Sequence, residues 1–369
     1  MIIDRRFFRN IDFWMIFSTL ALVGIGILII GSATHINTPS DDRYWYVQRQ
    51  GMFALANCVL ILIMLKFDYR MLGPLGNVLY GVNLLMLIAV MFVGHSALGA
   101  QRWIQLGPII LQPSEFAKLI MIISLAHLLD AREERLKSIW DLLPVAAFVV
   151  IPFLLVLKQP DLGTSLVFLA ILLGMVFVSG IDGKLLLKLM GGAAACLPVF
   201  WLFLKDYQKS RLTVFLDPNV DPLGAGYHII QSKIAIGSGQ LFGKGLFNGT
   251  QSQLNFLPEN HTDFIFAVVG EELGFVGAVV ILLLYFLLLY RGVKTAQNAR
   301  DKFGTLLAAG ITSMLAFHVL INVGMTIGIM PVTGIPLPFM SYGVSALTTN
   351  LVSIGILLNI QSRQQKLMF

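Results

Sequence analysis

The sequence predicts an all-α integral membrane protein with about ten transmembrane helices, and three observations support this fold class. Of the 369 residues, 57% are apolar and only 12% are charged, which is about half the charged fraction of an ordinary soluble domain. Apolar runs of about 20 residues, the length that crosses a bilayer as a helix, recur along almost the whole chain. Only the segment 205–262 interrupts them for any distance.

Charged residues, Gly and Pro bound these runs and predict where each span begins and ends. The predicted spans are 12–33, 48–65, 73–94, 113–130, 141–157, 163–180, 185–204, 264–290, 304–329 and 344–362. The first run lacks a small-residue cleavage site and is too long for a signal-peptide core, so it is expected to remain as a span. The chain is expected to form one polytopic domain, 1–369.

The distribution of positive charge predicts the orientation of the spans. Most of the 26 Lys and Arg residues fall in segments that a cytoplasmic N-terminus would place inside, around Arg132 and Arg300 for example. Positive charge is enriched in cytoplasmic loops, so both termini are expected to face the cytoplasm and 205–262 to be an extracytoplasmic loop. No basic stripe interleaved with aromatic residues indicates a nucleic-acid partner.

Two irregular segments are expected to shape a site. Within the long loop, the amphipathic stretch Tyr227–Ile236 predicts a short surface helix, and the glycine-rich stretch 237–249 predicts tight turns without P-loop spacing. The Gly- and Pro-rich run 322–346 predicts a broken helix or a re-entrant loop, which is tolerated at membrane depth only where it is buried or lines a cavity.

Ionisable residues inside spans are costly and are therefore functional candidates. Glu115 and Lys118 lie three residues apart on one helix face, so they can form a structural ion pair. They can equally belong to a polar cavity in which Lys118 faces an anionic substrate group, together with Arg49, Arg102 and Arg211 from the outer side. Arg suits a phosphate because its planar fork binds oxygens in pairs.

The carboxylate Asp263 stands where the long loop re-enters the membrane. It is suited to be the N-cap of the following helix, and it is also suited to be a general base whose pKa rises with partial burial. Asp161 lies in a short turn between Pro160 and Gly163, which favours a cap role. Glu271 and Glu272 are expected to be neutral, hydrogen-bonded structural carboxyls. The six histidines show no pair at zinc-ligand spacing, and no metal or cofactor is predicted.

Several motifs together resemble the shape, elongation, division and sporulation (SEDS) family of membrane-embedded peptidoglycan glycosyltransferases. They are Ala100–Trp103, Gln112–Lys118, Gln159–Ser165, Gln231–Gly239, His261–Phe266 with Glu271–Gly274, and Ser341–Gly343. Val344 and Gln240 stand where the family usually has glycine.

The resemblance implies a ten-span fold and an enzyme of the bacterial cytoplasmic membrane. It implies the polymerisation of lipid II into glycan strands for cell elongation and rod shape, with a class B penicillin-binding protein as partner. It also implies that Asp263 is the catalytic base. The residues implied in substrate binding are Arg49, Arg102, Glu115, Lys118, Asp161 and Arg211. Two alternatives remain open: a lipid II flippase, and a scaffold that only recruits the penicillin-binding protein.

Overall fold

The computed structural model describes residues 11–36, 42–97, 100–107, 109–132, 136, 138–185, 187–188, 191–192, 202 and 206–364. The helices labelled in these segments are α1 Phe13–Thr34, α2 Trp45–Met64, α3 Gly76–Val93, α4 Pro113–Asp130, α5 Ile139–Lys158, α6 Leu162–Val178, α7 Asp206–Leu216, α8 Ala225–Ser238, α9 Thr250–Gln253, α10 Ile265–Gln297, α11 Lys302–Ile327 and α12 Val344–Ser362. Three short strands lie between α3 and α4: β1 His95–Ala97, β2 Ala100–Leu106 and β3 Ile109–Leu111.

These helices confirm the all-α membrane class. Within the described segments, nine of the ten predicted spans coincide with a helix to within a few residues, apart from the C-terminal end of α10. Seven of those helices are long and apolar enough to cross a membrane. The predicted span 185–204 lies almost wholly outside the described residues. The chain is therefore a multi-pass membrane protein.

The helices differ in how much of their surface the protein covers. The apolar windows of α11 and α12 are 72% and 83% buried, whereas those of α2 and α3 are 17% and 22% buried. On the outer helices, large apolar side chains such as Leu55 and Phe92 are 72% and 81% exposed, as expected of surfaces that face lipid. The core thus sits around α11 and α12.

A small antiparallel sheet is the main departure from the predicted helices. Strand β2 pairs with β1, His95 opposite Trp103, and with β3, Ile104 opposite Leu111. Gly107 between β2 and β3 has a φ of 62°, which glycine adopts at little cost. The strands are too short for an alternating pattern to stand out from the neighbouring apolar runs. They matter because β2 carries Arg102.

Helix α10 is broken at Gly274, whose φ of 65° and ψ of −163° are open only to glycine. The turns of 239–245 supply partners for the interrupted backbone. Phe275 N–H donates to the Gln240 carbonyl at 2.9 Å, and Lys244 N–H donates to the Glu271 carbonyl at 3.0 Å. The glycine-rich stretch therefore completes a broken helix. Gln240 itself has a φ of 48°, which accounts for the glycine usual in the family at this position.

The irregular segment 328–343 joins α11 to α12, as the Gly and Pro content predicts. Gly328 ends α11 in the left-handed conformation, with a φ of 76°. Val344 is the first residue of α12, a position that any L-residue adopts, so its replacement of glycine leaves the turn intact. In the described part of the long loop, α7, α8 and α9 are short helices joined by turns.

Cysteine labelling tests the orientation of the chain. With Cys58 and Cys196 replaced by serine, single cysteines are introduced at Asn248 and at Gln297, both of which are exposed. Because 205–262 is predicted to be extracytoplasmic and the end of α10 cytoplasmic, an impermeant maleimide added to intact cells is expected to label Asn248→Cys only. Labelling at position 297 and not at 248 would reverse the topology. Permeabilised cells, in which both sites should react, are the control.

Candidate active site

The candidate base Asp263 lies in the turn 259–264 that leads into α10. Phe264 N–H donates to the Glu259 carbonyl at 3.1 Å and closes this turn. The N-cap of α10 is Phe264, and no side chain caps the helix. The N-cap interpretation of Asp263 is therefore wrong, because the helix begins one residue too late for its carboxylate to reach the first free N–H groups.

The backbone around Asp263 is held by the segment 328–343 and by α11. The side-chain amide of Asn322, fully buried on α11, donates to the carbonyls of Asp263 and Ile335, both at 2.8 Å. Ser341 Oγ donates to the Thr262 carbonyl at 2.6 Å. A side chain at Gly334 would place its Cβ 3.2 Å from Asp263 Oδ2, so the carboxylate lies against this glycine. The position of the base is thus fixed from two sides.

Burial and the charges of four nearby residues determine the pKa of Asp263. Burial, with the nearby Glu259 carboxylate, raises the pKa of Asp263 from 3.8 to about 7. Arg211 and Arg102 act in the opposite direction, and Asp161 adds to the rise. A carboxylate with a pKa near the working pH is well matched to accept and release a proton.

The predicted residues Arg102 and Asp161 lie together, and the charges of both act on Asp263. Asp161 caps α6 and accepts from both the N–H and the Oγ1 of Thr164 at 3.1 Å, so its predicted cap role is confirmed. Arg102 donates to the carbonyls of Gln159 and Pro160. Its guanidinium also lies 3.9 Å from the Asp161 carboxylate, which is nearly buried. The cap residue and the turn before it therefore also orient Arg102.

Arg211 reaches the site from the long loop. It lies on α7 and donates to the Val332 carbonyl at 3.1 Å, which ties the loop to the segment 328–343. Its charge also acts on His228, whose ring stacks on Phe264 at 5.8 Å. The charges of two Arg side chains from separate elements, Arg102 on β2 and Arg211 on α7, thus act on the same carboxylate.

Glu115 and Lys118 form the predicted ion pair, deep inside the protein. Lys118 Nζ lies 2.8 Å from Glu115 Oε1, and their side chains are 1% and 3% exposed. Lys118 also lies 3.2 Å from Nε2 of His318 on α11. The structure therefore brings these two residues together, within the first two turns of α4. A contact of Lys118 with substrate stays a prediction.

Arg49 lies on the other side of the rim turn. Its guanidinium covers the ring of Trp45 at 5.0 Å, near Tyr46, His261 and Tyr342. Sequence reasoning missed these aromatic residues and Glu259 as parts of the site. His261 and Tyr342 lie in the family motifs, but only the fold shows that they meet. Glu259, four residues before Asp263, carried no signal beyond that spacing.

Glu271 and Glu272 anchor the long loop. Glu271 is fully buried and pairs with Lys244 at 2.8 Å, while it accepts the N–H of Gln251 at 2.9 Å. This ion pair differs from the neutral carboxyl that burial alone predicts, because the loop brings its own cation. Glu272 accepts from Ser32 Oγ at 2.6 Å, as a hydrogen-bonded structural carboxyl does. In the described segments, no group of three His, Cys, Asp or Glu side chains could hold a metal ion.

Comparison with known proteins places this geometry in a family. Residues 13–366 match the family described as cell cycle proteins of the FtsW, RodA and SpoVE type. The chain belongs to this family. Among its relatives, the peptidoglycan glycosyltransferase MrdB of Escherichia coli K12 is 42% identical over 97% of this chain and 95% of its own length. Stage V sporulation protein E of Bacillus subtilis is 39% identical over 95% of this chain and 96% of its own.

Solved structures of family members share the fold. A chain of a peptidoglycan synthase complex, described as coordinating polymerization and crosslinking, superposes with a TM-score of 0.81 at 35% identity, covering 96% of this chain and 99% of that one. RodA of Thermus thermophilus superposes with a TM-score of 0.71 at 32% identity, covering 96% and 98%. The stretch Gly224–Lys233 also resembles the rod-shape branch of the family.

Removing both charges of the buried Glu115–Lys118 pair tests whether it is a structural ion pair. Lys118→Met strands the Glu115 carboxylate in the core and is expected to cost about 3–5 kcal/mol, whereas Glu115→Gln with Lys118→Met should recover most of that loss. The measurement is the thermal unfolding midpoint in detergent. A double variant as unstable as the single one would contradict a structural ion pair.

Activity of the same double variant separates the two interpretations of Lys118. If the pair acts only through folding, the stable double variant regains glycosyltransferase activity. If Lys118 also binds an anionic substrate group, the double variant stays folded and inactive.

Proposed function

We propose that this protein polymerises lipid II into glycan strands at the outer face of the bacterial cytoplasmic membrane, with Asp263 as the general base. The enzyme class follows from its family: curated relatives are peptidoglycan glycosyltransferases, and this chain is one as well. Beyond this class, we propose that lipid II is the substrate, that the reaction takes place at the outer face of the membrane and that Asp263 is the general base. Its support is the position of Asp263, held by Asn322 and Ser341 against Gly334, where burial raises its pKa to about 7 and the charges of Arg102 and Arg211 act on it.

The reaction joins two glycan units and releases a lipid pyrophosphate. The 4-hydroxyl oxygen of the acceptor's terminal N-acetylglucosamine attacks the anomeric carbon of the donor, and a new C–O bond forms there. The bond from that carbon to the pyrophosphate oxygen breaks, and its electron pair leaves with the undecaprenyl pyrophosphate. The hydroxyl proton passes to Asp263. Attack opposite the leaving group converts an α-linked donor into a β-linked product.

The cations around Asp263 suit the leaving group. A pyrophosphate needs positive charge more than a general acid, because it departs as a stable anion. The charges of Arg102 and Arg211 both act on the Asp263 carboxylate, and Arg49 lies over Trp45 near the turn 259–264; we assign these three Arg side chains to the pyrophosphates of the substrates. Asp161 orients Arg102, and Glu115 and Lys118 form the floor of the site beneath it.

A partner and an orientation belong to the same proposal. A related chain was solved in a peptidoglycan synthase complex that couples polymerization to crosslinking, which supports a class B penicillin-binding protein as the crosslinking partner here. An enzyme that polymerises lipid II after its export needs its general base at the outer face of the membrane. We therefore place Asp263 and 205–262 at the outer surface and both termini in the cytoplasm.

Replacing Asp263 by asparagine tests the base directly. Asp263→Asn keeps the size of the side chain and the backbone contacts to Asn322, but it cannot accept a proton. Polymerisation of purified lipid II, read as glycan chains on a gel, is expected to fall by about 10²–10⁴-fold. Unfolding midpoint and capture of the penicillin-binding partner should match the wild type.

Three results would contradict the proposal. Near wild-type polymerisation by the Asp263→Asn variant would show that Asp263 is not the general base. Transport of lipid II across vesicles without bond formation by the wild-type protein would favour a flippase. Partner capture by a wild-type protein that neither polymerises nor transports would favour a scaffold.

The charges that face Asp263 predict how activity depends on pH. With a pKa of about 7, Asp263 is deprotonated above neutrality and protonated below it, so kcat/KM is expected to fall as the pH drops through 7. Glu259→Gln removes a charge that raises this pKa and should move the acid limb to lower pH. Arg211→Gln removes a charge that lowers it and should move the limb to higher pH. Shifts in the same direction for both variants would contradict the assignment.

A further inference from the structure

Three rings that polymerisation as derived above does not use meet beside the base. Tyr46, in the first turn of α2, lies 4.7 Å from the Tyr342 ring at 84° and 4.9 Å from the His261 ring at 49°. The His261 and Tyr342 rings are 5.9 Å apart. We call Tyr46, His261 and Tyr342 the aromatic platform. Arg49 and Trp45 adjoin it, with the Trp45 and Tyr342 rings 6.5 Å apart.

The side chains of the aromatic platform are neither enclosed in the core nor fully exposed. All three side chains are half-buried, whereas aromatic clusters that only fill a core are enclosed. Hydrogen bonds nonetheless fix its geometry. Tyr342 N–H donates to the His261 carbonyl at 2.9 Å. The Gln50 side-chain amide, one turn after Tyr46, donates to the Ser341 carbonyl at 3.1 Å. A rigid, partly open aromatic surface is typical of a ligand site.

The platform is also held at a short distance from the base. His261 precedes Asp263 by two residues, so their Cα atoms are at most about 7 Å apart. Ser341, next to Tyr342, donates to the Thr262 carbonyl between them. A small ring bound at the platform would therefore lie close to Asp263.

The polar groups around the platform indicate what kind of ring that is. Glu259 is exposed, and its charge acts on Tyr46, His261 and Asp263 alike. A pyranose offers an apolar C–H face, which packs on aromatic rings, and an edge of hydroxyl groups, which donate to a carboxylate. A phosphate would be repelled by Glu259. The Glu259 carboxylate accepts from Thr262 Oγ1 at 3.0 Å through Oε2 and is exposed, so it can also accept from a hydroxyl of a bound sugar, which an apolar chain does not offer.

We infer that the aromatic platform, with Glu259, binds the terminal pyranose of the acceptor glycan and turns its attacking hydroxyl toward Asp263. This inference rests on the proposed polymerase function and adds the subsite for one of its two substrates. In this arrangement the Arg side chains bind the pyrophosphates and the aromatic rings bind the sugar.

Ring removal at Tyr46 tests the subsite by kinetics. Tyr46→Leu deletes the aromatic face, Tyr46→Phe keeps it, and Tyr44→Leu is the matched control because Tyr44 is exposed just outside the platform. With lipid II as substrate, KM for Tyr46→Leu is expected to rise roughly tenfold with little change in kcat. The Phe variant and the Tyr44 control should stay within about twofold of the wild type. An unchanged KM in a folded Tyr46→Leu protein would overturn the inference.

Direct binding keeps the test independent of catalysis. The probe is chitotetraose, a β-1,4-linked N-acetylglucosamine oligomer that carries neither lipid nor peptide, and binding is followed by saturation-transfer NMR in the Asp263→Asn background. Saturation transfer is expected in this background and is expected to be lost on adding Tyr342→Leu, with Tyr342→Phe retaining it. Absence of transfer in the parent protein would overturn the inference even if lipid II is polymerised. Sugar binding by a wild-type protein that does not polymerise would refute the proposed function and leave the subsite standing.

Discussion

The rest of the site depends on one constraint: backbone groups inside a membrane protein must find partners within the protein. The segment 328–343 and the turn 259–264 have no helix to supply those partners. Buried side chains supply them instead, chiefly the amide of Asn322, which donates to Asp263 and Ile335 carbonyls together. Satisfying the backbone therefore also fixes the base. The same hydrogen bonds that make irregular chain tolerable give the site its geometry.

The carboxylates of this protein divide according to their partners. Asp161 is committed to a helix N-terminus, Glu115 to Lys118, and Glu271 to Lys244 and loop N–H groups. Among the described residues, no hydrogen-bond donor contacts the Asp263 carboxylate, and its pKa of about 7 reflects burial and charges at a distance. Asp161, Glu115 and Glu271 each have a fixed hydrogen-bonding or ionic partner, whereas Asp263 keeps its carboxylate open to an incoming proton donor. That difference in surroundings is the one expected between structural carboxylates and a candidate base.

Features set by local composition could be predicted from the sequence. Span positions, the i, i+3 pairing of Glu115 with Lys118 and the breaks at Gly and Pro all depend on residues near each other in the chain. The broken α10 and the aromatic platform depend on contacts between distant segments, whereas the strands β1–β3 are local but too short for an alternating pattern to stand out. Gln240 illustrates the limit, because only the helix break at Gly274 explains why a positive φ is needed there. The predicted N-cap role of Asp263 is wrong for a similar reason, because the turn 259–264 places the start of α10 at Ile265 with Phe264 as its N-cap.

Helix α11 links the interior of the protein to its rim. His318 contacts Lys118, and Asn322, one turn further on the same face, holds Asp263. Because a helix turns as a rigid body, the rotation that satisfies the buried Glu115–Lys118 pair is also the rotation that aims Asn322 at the rim. The ion pair need not touch substrate to influence the chemistry. One stiff, mostly buried helix thus connects the buried Glu115–Lys118 pair to the turn that carries Asp263.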